Sequence, residues 1–206
     1  MTRPLVIIFL TILVNLIGFG IIIPLLPFYA QTFGASPVAI GLLFASFSLA
    51  QLIAAPVRPG TVEWIGARPA RGAAMRVLDA AELVAGKGIA ADRYGNAGGA
   101  RQVTLVAAES LAAIASHLGV DAVAPEGMRR NIVVRGINLV ALKGRRFRIG
   151  AATLEASGEC HPCSRIEASL GTGGYNAARG LGGITARVVE GGVVRVGDRV
   201  EPIRAD

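Results

Sequence analysis

The pattern of apolar and polar positions changes once along this chain, near residue 57. Before that point apolar residues run almost unbroken from Leu5 to Phe28 and again from Val38 to Pro56, parted by a short turn-rich stretch, Tyr29 to Pro37. Each run approaches the ~20 residues that a helix needs to span a bilayer. Beyond residue 57, short β-type runs alternate with Gly, Asn and Asp punctuation. Thr61–Ala67, Ala74–Ala80, Gln102–Val106, Asn131–Arg135, Arg146–Ile149 and Ala152–Ala156 read as strands. So do Thr185–Val189 and Val193–Val196, and Glu190-Gly-Gly192 between them predicts a hairpin turn. Ala108–Leu118 has helical periodicity, with Leu111, Ile114, Ala115 and Leu118 on one face and Gly119 placed to end the helix. A second short helix is expected over Ser164–Leu170. The chain thus reads as two domains, 1–57 and 58–206: a two-helix transmembrane hairpin, then a mostly β (α+β) domain. Many short strands with few helices favour a small, mostly antiparallel β-barrel with one or two helices.

Charge sharpens the division. From Pro4 to Val57 there is no Lys, Arg, Asp, Glu or His, whereas all 14 acidic residues and 20 of the 21 basic ones lie from Arg58 onward. Arg3 precedes the first run, Arg58, Arg68 and Arg71 follow the second, and the connecting loop carries no positive charge. The positive-inside rule then places both ends in the cytoplasm. The expected location is the inner (cytoplasmic) membrane, held through residues 5–56 with the second domain in the cytoplasm; without a working first piece it is cytoplasmic. A basic balance suits anionic partners. The arginines, however, are interleaved with acids rather than clustered with aromatics, so nucleic acid is not an expected partner.

Two cysteines, Cys160 and Cys163, make no secreted disulfide framework. They suggest a reducing compartment and a local thiol site, in Glu159-Cys-His-Pro-Cys-Ser-Arg165. Several readings stand side by side. A zinc site would use Cys160, Cys163 and His161, although structural zinc wants four ligands. A thioredoxin-like pair would need a βαβ setting. A single reactive or metal-ligating thiol, Cys163, would stand at the mouth of a basic pocket. The plain alternative is two packed cysteines in a loop. A second cluster, Pro125-Glu-Gly-Met-Arg-Arg-Asn131, runs into Ile-Val-Val-Arg-Gly136. Paired arginines entering a strand can offer forked donors to a phosphate or oxyanion, and Asn131 could orient a ligand; a solvated turn is the plain alternative.

Two resemblances follow from these residues. Asn15-Leu-Ile-Gly-Phe-Gly-Ile-Ile-Ile-Pro-Leu-Leu-Pro-Phe-Tyr29 and Gly41 to Pro56 resemble the start of a major facilitator superfamily transporter of the tetracycline-efflux type. That pattern stops at Val57, and two helices cannot build such a transporter's substrate pathway. The second resemblance, over about residues 60–204, is to the MOSC family, the domain named for the C-terminal region of molybdenum-cofactor sulfurases. Its elements run in order: Ile89 to Tyr94, Arg101 to Leu105, Arg129 to Gly136, Leu142 to Gly150, Cys160-His-Pro-Cys163, Gly182-Gly-Ile184 and Gly197-Asp198. The family usually shows Gly before the Asp-Arg pair, where this chain has Ala91, which a positive φ would strain.

The resemblance implies a β-barrel that works with the molybdenum cofactor, molybdopterin. It implies Cys163 as catalytic residue and metal ligand, or as sulfur carrier, and Arg129, Arg130, Asn131, Arg165 and Arg93 as cofactor-binding residues. Reduction of N-hydroxylated or N-oxidised small molecules is the expected activity, with a separate electron-donor reductase as partner. The alternatives are sulfur transfer through a Cys163 persulfide formed by a cysteine desulfurase, and a non-catalytic membrane-tethered domain.

Overall fold

In the computed structural model of the chain, the described residues are 10, 13, 14, 17, 21, 25–54, 57–94 and 96–203. The chain divides into two compact units at the Pro56–Val57 junction. In the first, residues 25–32 are helical and a turn through Gly34 (φ 79°) leads into α1, Pro37–Ala54. Ser36 caps α1 by accepting the Ala39 N–H at 3.2 Å, and Pro37 supplies a preset φ for its first turn.

Among the described residues, no helix is long and apolar enough to cross a membrane. α1 has 18 residues, which at the rise of an α-helix is about 27 Å, short of a hydrocarbon core of about 30 Å. The expected first span, residues 5–28, lies largely outside the described residues. The described residues therefore give the expected transmembrane hairpin no support.

Among its described residues the second unit holds eleven strands: β1 Gly60–Ala67, β2 Arg76–Leu78, β3 Ala80–Val84, β4 Gly88–Ile89, β5 Val103–Ala107, β6 Ile132–Arg135, β7 Arg146–Ile149, β8 Ala152–Glu159, β9 Ile184–Glu190, β10 Gly192–Arg195 and β11 Arg199–Pro202. The main sheet runs β11-β7-β8-β9-β5-β6-β1, and β1 pairs again with β11 to close a seven-stranded barrel. β2 extends from β1, while β10, β3 and β4 form a separate small sheet. All pairings are antiparallel except β5–β6, which is parallel. A parallel pair needs a crossover. Here it contains α2 (Ala108–Leu118) and α3 (Pro125–Met128).

That crossover decides where the cores lie. Along β5 and β6 alternate residues point to opposite faces. Val103, Leu105, Ile132 and Val134 point into the barrel core with Phe147, Ile149 and Leu154. Val106 and Val133 point outward, into a second core shared with Leu111 and Ile114 of α2, Met128 of α3 and Ile166. Ile166 belongs to α4, Ser164–Leu170, which is followed by α5, Gly174–Ala177. α2 ends on Gly119 in the left-handed region (φ 68°), where a Cβ would be strained.

Two expectations about strands fail for physical reasons. Glu190-Gly-Gly192 is no hairpin: β10 leaves β9 and pairs with β3, from Gly192↔Leu83 to Arg195↔Ala80. Its glycines serve close backbone approach instead, since a Cβ on Gly192 would lie 2.7 Å from the Ala151 backbone. The run Ala74–Ala80 splits at Asp79 between β2 and β3, which belong to different sheets. Ala91 carries no positive φ. Among the described non-glycine residues, only Arg129 does (φ 53°).

Candidate functional site

The chemistry gathers where β5 and β6 meet the α3–α4 layer. A polar network begins the site. Asp92, buried, takes Arg68 Nε at 2.9 Å and Nη2 at 3.0 Å, plus the backbone N–H groups of Arg68 and Tyr94. Burial pushes the Asp92 carboxyl up, but these donors, led by the Arg68 side chain, outweigh it and hold the group below its ordinary value. Asn131 sits fully buried beside them. Its Nδ2 donates to Asp92 Oδ2 (2.8 Å) and to the Gly66 carbonyl (3.2 Å). Its Oδ1 accepts from Thr104 N, Thr104 Oγ1 and Arg68 Nη2. Asn131 is thus saturated by protein partners and works as a joint between β1, β5 and the Asp92 loop.

Arg130 is buried as well and bonds only backbone carbonyls: Nε to Gly182, Nη1 to Met128, Nη2 to Cys160 and, at 3.5 Å, to His161. Burial is the largest influence on its guanidinium and lowers it from the ordinary value. Cys160 and Cys163 oppose that shift, while Arg68 and Arg101 reinforce it. Those influences place both cysteines and two further arginines within electrostatic reach of Arg130.

The cysteines differ. Both are free, but Cys160 is buried and Cys163 exposed. Cys160 N–H donates to Gly183 O at 2.8 Å, tying β8's end to the turn before β9. Cys163 stands at the N-cap of α4, its carbonyl accepting Ile166 N–H at 2.8 Å. On α4 itself, Glu167 takes the Tyr175 and Gly173 N–H groups at 2.6 and 2.9 Å, and these bonds hold its carboxyl below the ordinary value.

Arg129 closes α3 in the left-handed conformation, and α3 packs on α4, since a Cβ on Gly127 would meet Leu170 at 3.0 Å. Among the described residues, Arg129 Nη2 is the buried side-chain nitrogen that has no hydrogen-bond partner. Arg165 and Arg93 are exposed. In the Asp92-Arg93 pair it is the acid that enters the network, whereas Arg93 ties in only through its backbone N–H to Arg68 O at 2.7 Å. A cavity of about 420 Å³ lies nearby, lined by Glu109, Asn138, Leu139, Val140, Gly180 and Gly183 among others. It shares the Gly182–Gly183 turn with the cysteine loop, but neither cysteine lines it.

The sequence assigns no site role to Arg68, Asp92 or Thr104, although Asp92 and Thr104 lie within the motifs that carry the family resemblance. An acid placed just before an arginine in a turn of mixed charge is a weak signal. Arg68, 24 residues away in sequence from Asp92, carries no local signal of its role.

The model of the MOSC domain family matches residues 92–201, more than half of the chain. The chain belongs to the MOSC family. The solved structure of the YuaD protein from Bacillus subtilis resembles it with a TM-score of 0.62, covering 70% of this chain and 95% of YuaD at 23% identity. YiiM from Escherichia coli gives 0.57 over 72% of this chain and 71% of its own at 18% identity. YiiM from Geobacillus stearothermophilus gives 0.57 over 70% and 75% at 14% identity. These likenesses establish the MOSC fold. A further match, 44% identical over 48 residues, is to an uncharacterized MFS-type transporter of Methanocaldococcus jannaschii. It takes in 23% of this chain, and the chain spans 12% of that relative's length.

MOSC domains are associated with the molybdenum cofactor, and the residues present fit such a group. Among the described residues, no three His, Cys, Asp or Glu side chains come together as a metal cage. A metal held here would arrive with ligands of its own and take one thiol from the protein, and Cys163 is an exposed thiol. Arg129 Nη2 is a buried donor lacking an acceptor, which an anionic group would satisfy.

Proposed function

We propose that this MOSC domain binds molybdopterin with Cys163 as the metal ligand and reduces N-hydroxylated or N-oxidised small molecules. The observation that carries the reading is the unpartnered, buried Nη2 of Arg129 at the end of α3, the helix that packs on α4 behind Cys163. A buried donor without an acceptor costs about 1–3 kcal/mol, and a strained backbone costs of order 1–3 kcal/mol more. A protein that keeps both at one residue gains from them when a ligand arrives.

The chain's own contributions are then distinct. Cys163 offers its soft sulfur to a soft metal. Arg129 offers a guanidinium edge to the pterin phosphate, and Arg165, exposed on the first turn of α4, adds positive charge beside it. Arg93 is exposed and supplies charge at the rim of the Asp92 loop. Arg130 and Asn131 hold the frame through backbone and network bonds. The bound cofactor supplies the two-electron chemistry of the reduction. In this reading a separate reductase supplies the electrons.

The test is to produce the full chain in cells that make the cofactor and to measure bound molybdenum and pterin. A folded protein carrying neither would overturn the reading. Exposure of Cys163 also favours sulfur carriage, because an exposed thiol can be reached by a desulfurase. That version predicts a mass gain of roughly 32 Da, one sulfur atom, on Cys163 after incubation with a cysteine desulfurase and cysteine.

A further inference from the structure

Arg130 has a different part from the one the MOSC reading gives its neighbour. We propose that Arg130 is a positioning residue: its buried guanidinium clamps the Cys160–Cys163 loop against the Gly182–Gly183 turn and so fixes where the Cys163 thiol is presented. The inference rests on the reading of Cys163 as the working thiol for its purpose, but not for its geometry.

Four backbone carbonyls from three separate segments converge on this one side chain. Met128 O belongs to the end of α3, Cys160 O and His161 O to the cysteine loop, and Gly182 O to the turn before β9. Among the described residues no carboxylate pairs with Arg130, although its relative exposure is 6%. A buried cation without a counterion is retained only where its hydrogen bonds are made. Here four of its five N–H donors are used, in a planar fork that a lysine ammonium cannot reproduce.

Packing on the far side fits the clamp. A Cβ on Gly182 would fall 2.0 Å from Cys160 O and 3.3 Å from Arg130 Nη2. Only a glycine lets the turn come close enough for the guanidinium to bridge it to the loop. The loop is therefore pinned twice at Cys160, by Gly183 O on its N–H and by Arg130 on its carbonyl. Pro162 narrows the chain's freedom just beyond, and Ile166, 1% exposed, anchors α4 on the other side. Cys163 lies between those two fixed points.

The experiment uses the full chain and a small alkylating reagent, iodoacetamide, with site-resolved mass spectrometry. In the wild type Cys163 reacts and Cys160 is protected. In Arg130→Gln and Arg130→Lys, Cys160 is expected to react at least tenfold faster, with faster amide exchange confined to residues 159–163 and 181–184. Lysine keeps the charge but not the fork, so an Arg130→Lys protein that protects Cys160 as the wild type does would overturn the clamp. Gly182→Ala pushes the loop off from the other side with Arg130 intact, and should expose Cys160 in the same way even where an Arg130 variant fails to fold. Ile149→Val, destabilised elsewhere in the barrel, should leave Cys160 protected. If it exposes Cys160 equally, the effect is global and the proposal fails. Molybdenum and pterin are measured in parallel: a wild type that binds neither removes the proposed function and leaves the clamp to stand or fall on the alkylation result.

Discussion

Asn131 Nδ2 donates to Asp92 Oδ2 at 2.8 Å across 39 residues of sequence. That bond joins the loop after β4 to the start of β6, and Arg68 closes the triangle by bonding both residues. By the two-residue alternation of β6, Asn131 shares the outward face with Val133, so the network lies on the helix side of the sheet rather than inside the barrel.

Removing the charge at the centre of the triangle should be costly. Asp92→Asn keeps the shape but leaves Arg68, whose side chain is 17% exposed, without its counterion. Breaking such a buried pair costs about 3 kcal/mol. Urea denaturation at neutral pH should show that loss, and a change below about 1 kcal/mol would mean that the pair is not a stabilising element.

The same pair sets an acid limit. The Asp92 carboxyl is held below its ordinary value in the folded state. Its contribution is therefore complete above the unfolded value of about 3.9, and is lost as pH falls through the lower folded value. Arg68 remains charged throughout. Wild-type stability should decline below about pH 4, and Asp92→Asn should lack that component of the decline. Equal acid slopes for the two proteins would refute the assignment.

Arg129 sets stability and binding against each other. Its φ of 53° is left-handed, where glycine has no steric cost, and its Nη2 is buried without a partner. Arg129→Gly should stabilise the cofactor-free protein by about 1 kcal/mol and weaken retention of a phosphate-bearing pterin. Melting curves and pterin content would move in opposite directions. A variant that is less stable and still loads fully would contradict the role given to Arg129.

How much of this was legible in the sequence depended on range. Ala108–Leu118 follows from its 3.6-residue period and Gly119, and Ser164–Leu170 and Arg146–Ile149 appear as expected because each carries its signal locally. Glu190-Gly-Gly192 is ambiguous in sequence, because a Gly-Gly pair says the same thing whether it reverses the chain or admits a neighbouring backbone. Ordered motifs pointed to the right family and brought Cys163, Arg129, Arg130 and Asn131 into view. They could not divide the labour among them. That Arg130 bonds carbonyls 30 and 52 residues away, while Arg129 next to it has an idle donor, is decided by tertiary placement alone.

Gly183 tests the closeness of that placement. It has φ +83°, and a Cβ there would lie 1.9 Å from Leu105 O. Leu105 lies in β5 and pairs with Ile184, so the clash would fall on the barrel's own ladder and on the hydrogen bond that holds Cys160 N–H. Gly183→Ala should cost about 3 kcal/mol or more, from backbone strain and overpacking together. A melting temperature within a few degrees of the wild type would show that the turn can yield, and the close approach would then not be a constraint.

The two cysteines should separate when each is replaced by serine. Cys163 is exposed and makes no side-chain cap to α4, so Cys163→Ser should leave stability within about 0.5 kcal/mol of the wild type. Cys160 is 7% exposed, and serine there puts a hydroxyl into a site shaped for sulfur. A loss of about 1–3 kcal/mol follows if that hydroxyl finds no partner. Cofactor content should show the reverse order. Cys163→Ser should bind less cofactor, molybdenum and pterin falling together because the metal arrives with ligands of its own, and Cys160→Ser should keep both in whatever fraction folds. If Cys163→Ser bound as much molybdenum and pterin as the wild type, with the metal's coordination unchanged by X-ray absorption, the thiol would not be a ligand, and Cys163 would be left as a sulfur carrier. If Cys160→Ser lost the metal with its fold intact, the buried cysteine would be more than a packed anchor for the loop.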